Sequence, residues 1–165
     1  STGFREWAMQ RAAELLGISW RGGTNMTRQL ARSLTLPELR PILERDALFV
    51  AIQHDGKIDE ILSLTILNDL NQGRIIFWPN LVTQLDSLAA LIGACDEIVS
   101  VCGTNVHLAG AMAKKVTVLA PHVPEWRYGF QGKSMPWYGH VKVFRQEKYG
   151  DWVSVIARVA REISA

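Results

Sequence analysis

Cysteine is scarce. Two residues in 165, Cys95 and Cys102, are too few for a disulfide framework or a four-cysteine zinc site, and they suit a reducing compartment. No apolar run approaches the ~18 residues that would cross a bilayer. No secretory signal pattern is legible either, so residence in the cytoplasm is expected. Neither sign of charge dominates. Eighteen Lys+Arg against 16 Asp+Glu leave +2, which is too balanced for a dedicated nucleic-acid binder, although a local basic patch stays open. Internal repeats and low-complexity segments are absent, as are HExxH, Asp-x-Asp, GxSxG, GxGxxG and the Gly-Lys-Ser/Thr of a Walker A loop. His54, His107, His122 and His140 fall at no ligand spacing, so neither a metal nor a resident cofactor is expected.

What remains is the composition of a globular chain, 48% hydrophobic and 21% charged. It is long enough to bury roughly 70% of its unfolded surface without staples. One domain over residues 1–165 is expected, with residues 1–14 as a lead-in helix. The opening Ser1-Thr2-Gly3 carries no methionine, so the chain reads as a piece of something longer.

Five apolar runs read as buried strands: Leu15 to Trp20, Ala47 to Gln53, Arg74 to Trp78, Glu97 to Val101 and Lys115 to Ala120. A sixth, Val141 to Phe144, follows a loop of about twenty residues. Helical patterns separate the strands. One starts at Thr35 as N-cap, with Pro37 in its first turn and Glu38 at the capping-box position. A weaker one covers Ile58 to Leu70. The next is capped by Thr83 and carries Leu85, Leu88, Leu91, Ile92 and Cys95 on one stripe. Another opens at Gly103-Thr104-Asn105 and ends near Ala113. The last carries Trp152, Val155, Ile156, Val159, Ala160 and Ile163 on one face. Apolar strands alternating with amphipathic helices predict an α/β, doubly wound parallel sheet of Rossmann type.

In such a sheet ligands bind beyond the carboxyl ends of the strands, and three loops there carry notable polar groups. In Ser19-Trp20-Arg21-Gly22-Gly23-Thr24 the glycines permit close backbone approach while Ser19, Arg21 and Thr24 can donate to phosphate oxygens; Arg28 and Arg32 add charge nearby. The same residues also fit a solvated surface turn. Cys102-Gly103-Thr104-Asn105-Val106-His107 opens a helix whose free amides and dipole favour an anion, and it equally fits an ordinary capped helix with a hydrogen-bonded histidine. Cys102 itself fits a small buried hydrophobe as well as an activated thiol. The loop from Pro121 to Tyr138 holds His122, Glu125, Trp126, Arg127, Tyr128, Lys133, Trp137 and Tyr138. Its aromatics suit base or sugar stacking, a lid, an interface, or plain local packing.

The run from Asp96 to Met112 resembles the donor-site motif of heptosyltransferase-like glycosyltransferases. Pro124-Glu125-Trp126-Arg127-Tyr128-Gly129, Pro136-Trp137-Tyr138, Phe144-Arg145-Gln146 and Asp151-Trp152 resemble the C-terminal half of the bacterial branch that carries tetratricopeptide repeats. Ile18 to Gly22, Arg32-Ser33-Leu34 and Val50 to Gln53 match the opening of that half, so the likeness covers roughly residues 14–163. It implies one half of a GT-B fold, holding a nucleotide-sugar donor as substrate and acting without a metal. Diphosphate would sit at Gly103-Thr104 and against Ser19 to Gly23, with Arg21 and His107 as stabilisers. Ribose and base would lie near Gln53, Asp55, Asn80 and Leu81. Trp20, Arg32, Cys102 and Asn105 complete the implied donor set. Many relatives have Asp-Thr where this chain has Cys102-Gly103, which removes a polar contact. The implied partners are an N-terminal GT-B domain or repeat domain of the same chain, and a second copy. The base that activates the acceptor is expected in that other half, so this chain alone should bind donor and transfer little.

Two rivals stand beside this reading. A sugar-nucleotide 2-epimerase shares the architecture, and a degenerate domain kept for interaction would bind no nucleotide. A dinucleotide oxidoreductase is disfavoured by the missing GxGxxG, Asp55 being a poor stand-in for the acidic ribose partner.

Overall fold

A computed structural model describes residue 6, residues 14–53 and residues 74–163. The lead-in helix, save for residue 6, and the Ile58 to Leu70 segment lie outside the described residues.

Seven strands form one sheet: β1 (Glu14–Ser19), β2 (Ala47–Ala51), β3 (Ile75–Phe77), β4 (Glu97–Val101), β5 (Lys115–Ala120), β6 (Ser134–Met135) and β7 (Tyr138–Arg145). Their order is β3-β2-β1-β4-β5-β7-β6. All pairs are parallel except the β6–β7 edge, so the sheet is the doubly wound, Rossmann-like one that the alternation predicts. The order reverses between β1 and β4, which pair from Leu16↔Glu97 to Ser19↔Ser100. Both strands therefore end side by side at the switch point.

Alternation along the strands builds two core layers. Leu15, Val50, Ile98 and Val118 face α3 (Leu85–Ala94) and α4 (Thr104–Ala111), while Leu16, Ile18, Phe49, Val99 and Leu119 face the opposite layer. That second layer is closed by α1 (Arg40–Leu43) and α5 (Trp152–Ile163), whose Trp152, Val155, Ile156, Val159 and Ile163 are buried. Burial on both faces explains why the central strands read as continuous apolar runs.

Local departures have physical causes. The Thr35–Glu38 capping box forms, yet Pro37 and Pro41 tighten the segment into a 3-10 turn (Leu36–Leu39) running into the single turn of α1. Thr83 does not cap α3. Its hydroxyl donates to the Asn80 carbonyl and closes the short α2 (Pro79–Val82), leaving Gln84 as the N-cap residue. The expected long loop after β5 is also shorter than read. A 3-10 turn (Trp126–Tyr128) and the β6–β7 hairpin occupy most of it, and β7 begins at Tyr138 rather than Val141.

Candidate functional site

A cleft of about 730 Å³ opens at the switch point, beyond the carboxyl ends of β1 and β4. One wall is the loop after β1, another the start of α4, a third the Glu125 to Tyr128 turn, and the fourth is Val82, Thr83, Leu85 and Leu88.

Gln53 shapes the first wall. It is buried just past β2, where its Oε1 accepts from the Ser19 hydroxyl (3.2 Å) and from the amides of Trp20 (3.2 Å) and Arg21 (2.9 Å). Its Nε2 returns a bond to the Arg21 carbonyl at 3.0 Å. One amide side chain thus satisfies a backbone that has left the sheet. Gly22 is pressed against the end of β4, and Gly23, at φ 79°, makes the turn that side chains with a Cβ avoid.

On the second wall Thr104 is exposed to the cleft and His107 lies one turn further on. The first amides of any helix have no partner within it, and the dipole adds about half a positive charge there. Asn105 is turned away: it is buried, and its Nδ2 donates to the Ile52 carbonyl at 3.1 Å, pinning α4 to the end of β2. Burial, reinforced by the Arg127 charge, holds the His107 imidazole below its usual pKa, so it is neutral near pH 7.

The third wall is electrostatic. Arg32 is only 6% exposed and its Nη1 lies 2.6 Å from Glu125 Oε1, while Nη1 and Nη2 also donate to the carbonyls of Thr27 and Cys102. Glu125 Oε2 meets Arg127 Nη1 at 3.1 Å, so one carboxylate bridges two guanidiniums. The Tyr128 ring is fully buried, and its hydroxyl accepts the Gly103 amide at 3.0 Å and lies 3.5 Å from His107 Nε2. Arg145 anchors the segment by donating to the carbonyls of Tyr128, Gly129 and Gly132. Gln146 Oε1 accepts the His122 amide at 3.0 Å.

Of the residues singled out from sequence, Ser19, Arg21, Gly22, Gly23, Arg32, Gln53, Gly103, Thr104, Asn105 and His107 line the cleft. Trp20 and Cys102 do not. Trp20 packs into the core layer of Phe49, and Cys102 sits in the opposite one with its thiol pushed up to about 12 by burial, which leaves it a protonated hydrophobe. Asn80 and Leu81 sit on α2 outside the cleft, and Asp55 lies outside the described residues. The aromatic loop divides. Tyr128 is core, Tyr138 packs where Gly110 leaves room for its ring, and Trp126 and Trp137 form an exposed edge-to-face pair at 6.2 Å. Thr83, Leu85 and Leu88 were not foreseen as cleft residues; the sequence signal was a helix stripe, which points inward and outward alike. Among the described residues, no cluster of three metal-capable side chains is present.

Sheet order, crossovers and the place of the cleft define a Rossmann-like α/β protein with its ligand groups at the topological switch point. Comparison with solved structures refines that class. The chain superposes along its whole length on 53% of the E. coli ADP-heptose LPS heptosyltransferase II, with a TM-score of 0.55 and 16% sequence identity. A likeness at that identity is one of fold. Among curated proteins, 81 residues are 33% identical to protein FlbA of Caulobacter vibrioides, a match that spans 49% of this chain and 13% of FlbA. No protein-family model matches the chain.

Proposed function

We propose that this chain is the nucleotide-sugar donor-binding half of a GT-B glycosyltransferase. It takes a nucleoside-diphosphate sugar without a metal and depends on a second half, of the same polypeptide, for the acceptor and its base. The observation that carries the reading is the meeting of the Arg21-Gly22-Gly23 loop with the start of α4 across one cleft at the switch point. Such a site favours the charge that develops on a departing diphosphate: helix amides, Thr104 and arginines already stand where it would form, so little reorganisation is needed. Val82, Leu85 and Leu88 offer the apolar wall against which a nucleoside would lie. The likeness in fold to about half of a heptosyltransferase agrees with a domain that works beside another. On this reading the enzyme works in the cytoplasm, where nucleotide sugars are available.

Calorimetric titration with UDP, GDP and ADP tests it. Saturable binding of one of them is expected, and Thr104→Ala with His107→Ala should weaken it about tenfold in a folded protein, the worth of one or two charge-assisted contacts. Unchanged affinity in the double variant would sink the site assignment. One observation favours a second reading, a non-catalytic interaction module. Glu125 already neutralises Arg32, and the Tyr128 hydroxyl already takes the Gly103 amide, as if the anion groups had been given internal partners. That reading predicts no nucleotide binding at all.

A further inference from the structure

If the cleft takes a diphosphate, the next question is which cation meets it. Arg32 has the position but not the freedom, because its buried guanidinium is spent on Glu125 and on the carbonyls of Thr27 and Cys102. Arg28 donates to the Val123 carbonyl at 3.0 Å and stands outside the cleft lining. His107 is neutral near pH 7. Arg21 lines the cleft from the β1 loop.

Arg127 is built differently. Its side chain lines the cleft, is 47% exposed, and among the described residues makes its one printed hydrogen bond to Glu125. A guanidinium has five N–H donors, so most remain available in the plane of the fork. The flat face is placed by stacking, with Cζ 5.1 Å from the Trp126 ring centroid, and Trp126 is in turn braced edge-on by Trp137. Stacking fixes the plane of the fork without using its donors. The backbone beneath is anchored as well, since Gly129 turns at φ 66° and Arg145 binds the carbonyls on either side of that turn. A half-exposed arginine on an ordinary surface has none of this scaffolding.

We infer that Arg127 is the cation through which this cleft grips the diphosphate of its ligand, held in position by Trp126 and Glu125. The inference rests on the donor-site reading and adds to it a residue that sequence reasoning grouped with the aromatic loop. The test compares titrations of the nucleoside diphosphate that the wild-type chain binds, among UDP, GDP and ADP, with those of Arg127→Gln and Arg28→Gln. The two variants lose the same charge, but only one loses it inside the cleft.

The expected loss is about tenfold or more for Arg127→Gln and within about twofold for Arg28→Gln. Trp126→Leu, which keeps the charge and removes the stack, should fall between them. Equal affinity of Arg127→Gln and wild type overturns the inference, and so does an equal loss in both glutamine variants, which would mark a general charge effect. If Arg127→Gln fails to fold, Arg127→Lys takes its place. It keeps the charge but not the planar fork, so weaker binding is expected and wild-type affinity overturns the proposal. A wild-type chain that binds no diphosphate overturns the donor-site reading and this inference together. Wild-type binding unmoved by Arg127→Gln overturns this inference alone.

Discussion

The two ends of the sheet treat charge in opposite ways. At the amino ends of the strands each charge closes on a neighbour. Glu14 pairs with Arg45, Glu97 accepts from Thr117 at 2.8 Å and pairs with Lys115 at 2.8 Å, and Asp96 takes the Leu15 amide at 2.9 Å. The partners are adjacent strands or adjoining turns. At the carboxyl ends the charges instead tie together segments far apart in sequence, the β1 loop, the end of β4 and the turn after β5, around open space. Glu97, a buried carboxylate, is thus no better marked as functional than any structural ion pair. What distinguishes the other end is convergence on a cleft.

The largest effect should come from breaking the carboxyl-end hub. Arg32→Ala frees a partly buried Glu125 and strips the carbonyls of Thr27 and Cys102 of their donor. Removal of one partner of a buried pair costs about 3–5 kcal/mol. Lys115→Ala at the amino end should cost about 1–2 kcal/mol, because Lys115 is largely exposed and Thr117 and water still serve Glu97. Urea denaturation of both variants ranks them. A larger loss for Lys115→Ala would overturn the contrast drawn between the two ends.

Two glycines of β1 and its loop sharpen it further. A Cβ on Gly22 would lie 2.4 Å from the Cys102 carbonyl oxygen, a backbone atom at the end of β4 that cannot give way without moving the cleft. One on Gly17, inside the strand, would meet Ile98 Cδ1 at 2.5 Å, the far end of a side chain that can change rotamer. Gly22→Ala should therefore cost about 2–3 kcal/mol and Gly17→Ala about 1 kcal/mol by thermal unfolding. The reverse order would mean that the loop is looser than its hydrogen bonds to Gln53 and Ser33 indicate.

This division also explains what could be read in the chain. Strand positions and sheet type were legible because burial on both faces leaves an unbroken apolar run: β4 and β5 match their sequence limits residue for residue. The general place of the site followed from strand order. Which polar groups are free was not legible, because it depends on contacts over long sequence separations. Gln53 reads as a ligand contact but serves the backbone 32 residues earlier, at Arg21. Arg32 reads as available charge but is consumed by Cys102, 70 residues on, and by Glu125. In the other direction, Glu125 and Arg127 sit among aromatics, which drew the reading toward stacking and away from their place in the cleft. The hairpin of β6 and β7 was hidden by Gly132, Pro136 and Gly139, turn residues that make a two-residue edge strand look like loop.

The smallest effect, and the one that probes the cleft most finely, is the pH dependence of His107. Its pKa is lowered first by burial and next by the Arg127 charge. The unfolded chain therefore binds a proton more readily than the folded one. The sign follows: this residue's contribution to stability is intact above its ordinary value of about 6.5 and declines as the pH falls through that value. A bound diphosphate reverses the local field, because its charge offsets that of Arg127 and favours imidazolium. Binding should then be accompanied by proton uptake, and wild-type affinity should gain about threefold on His107→Asn between pH 7.5 and 5.5. The comparison with His107→Asn removes the titration of the phosphates themselves, which both proteins see alike. Calorimetry in buffers of different ionisation enthalpy measures the uptake directly. Parallel affinity profiles with equal proton uptake would place His107 outside the field of the ligand, leaving Thr104, the helix amides and the arginines to hold the anion.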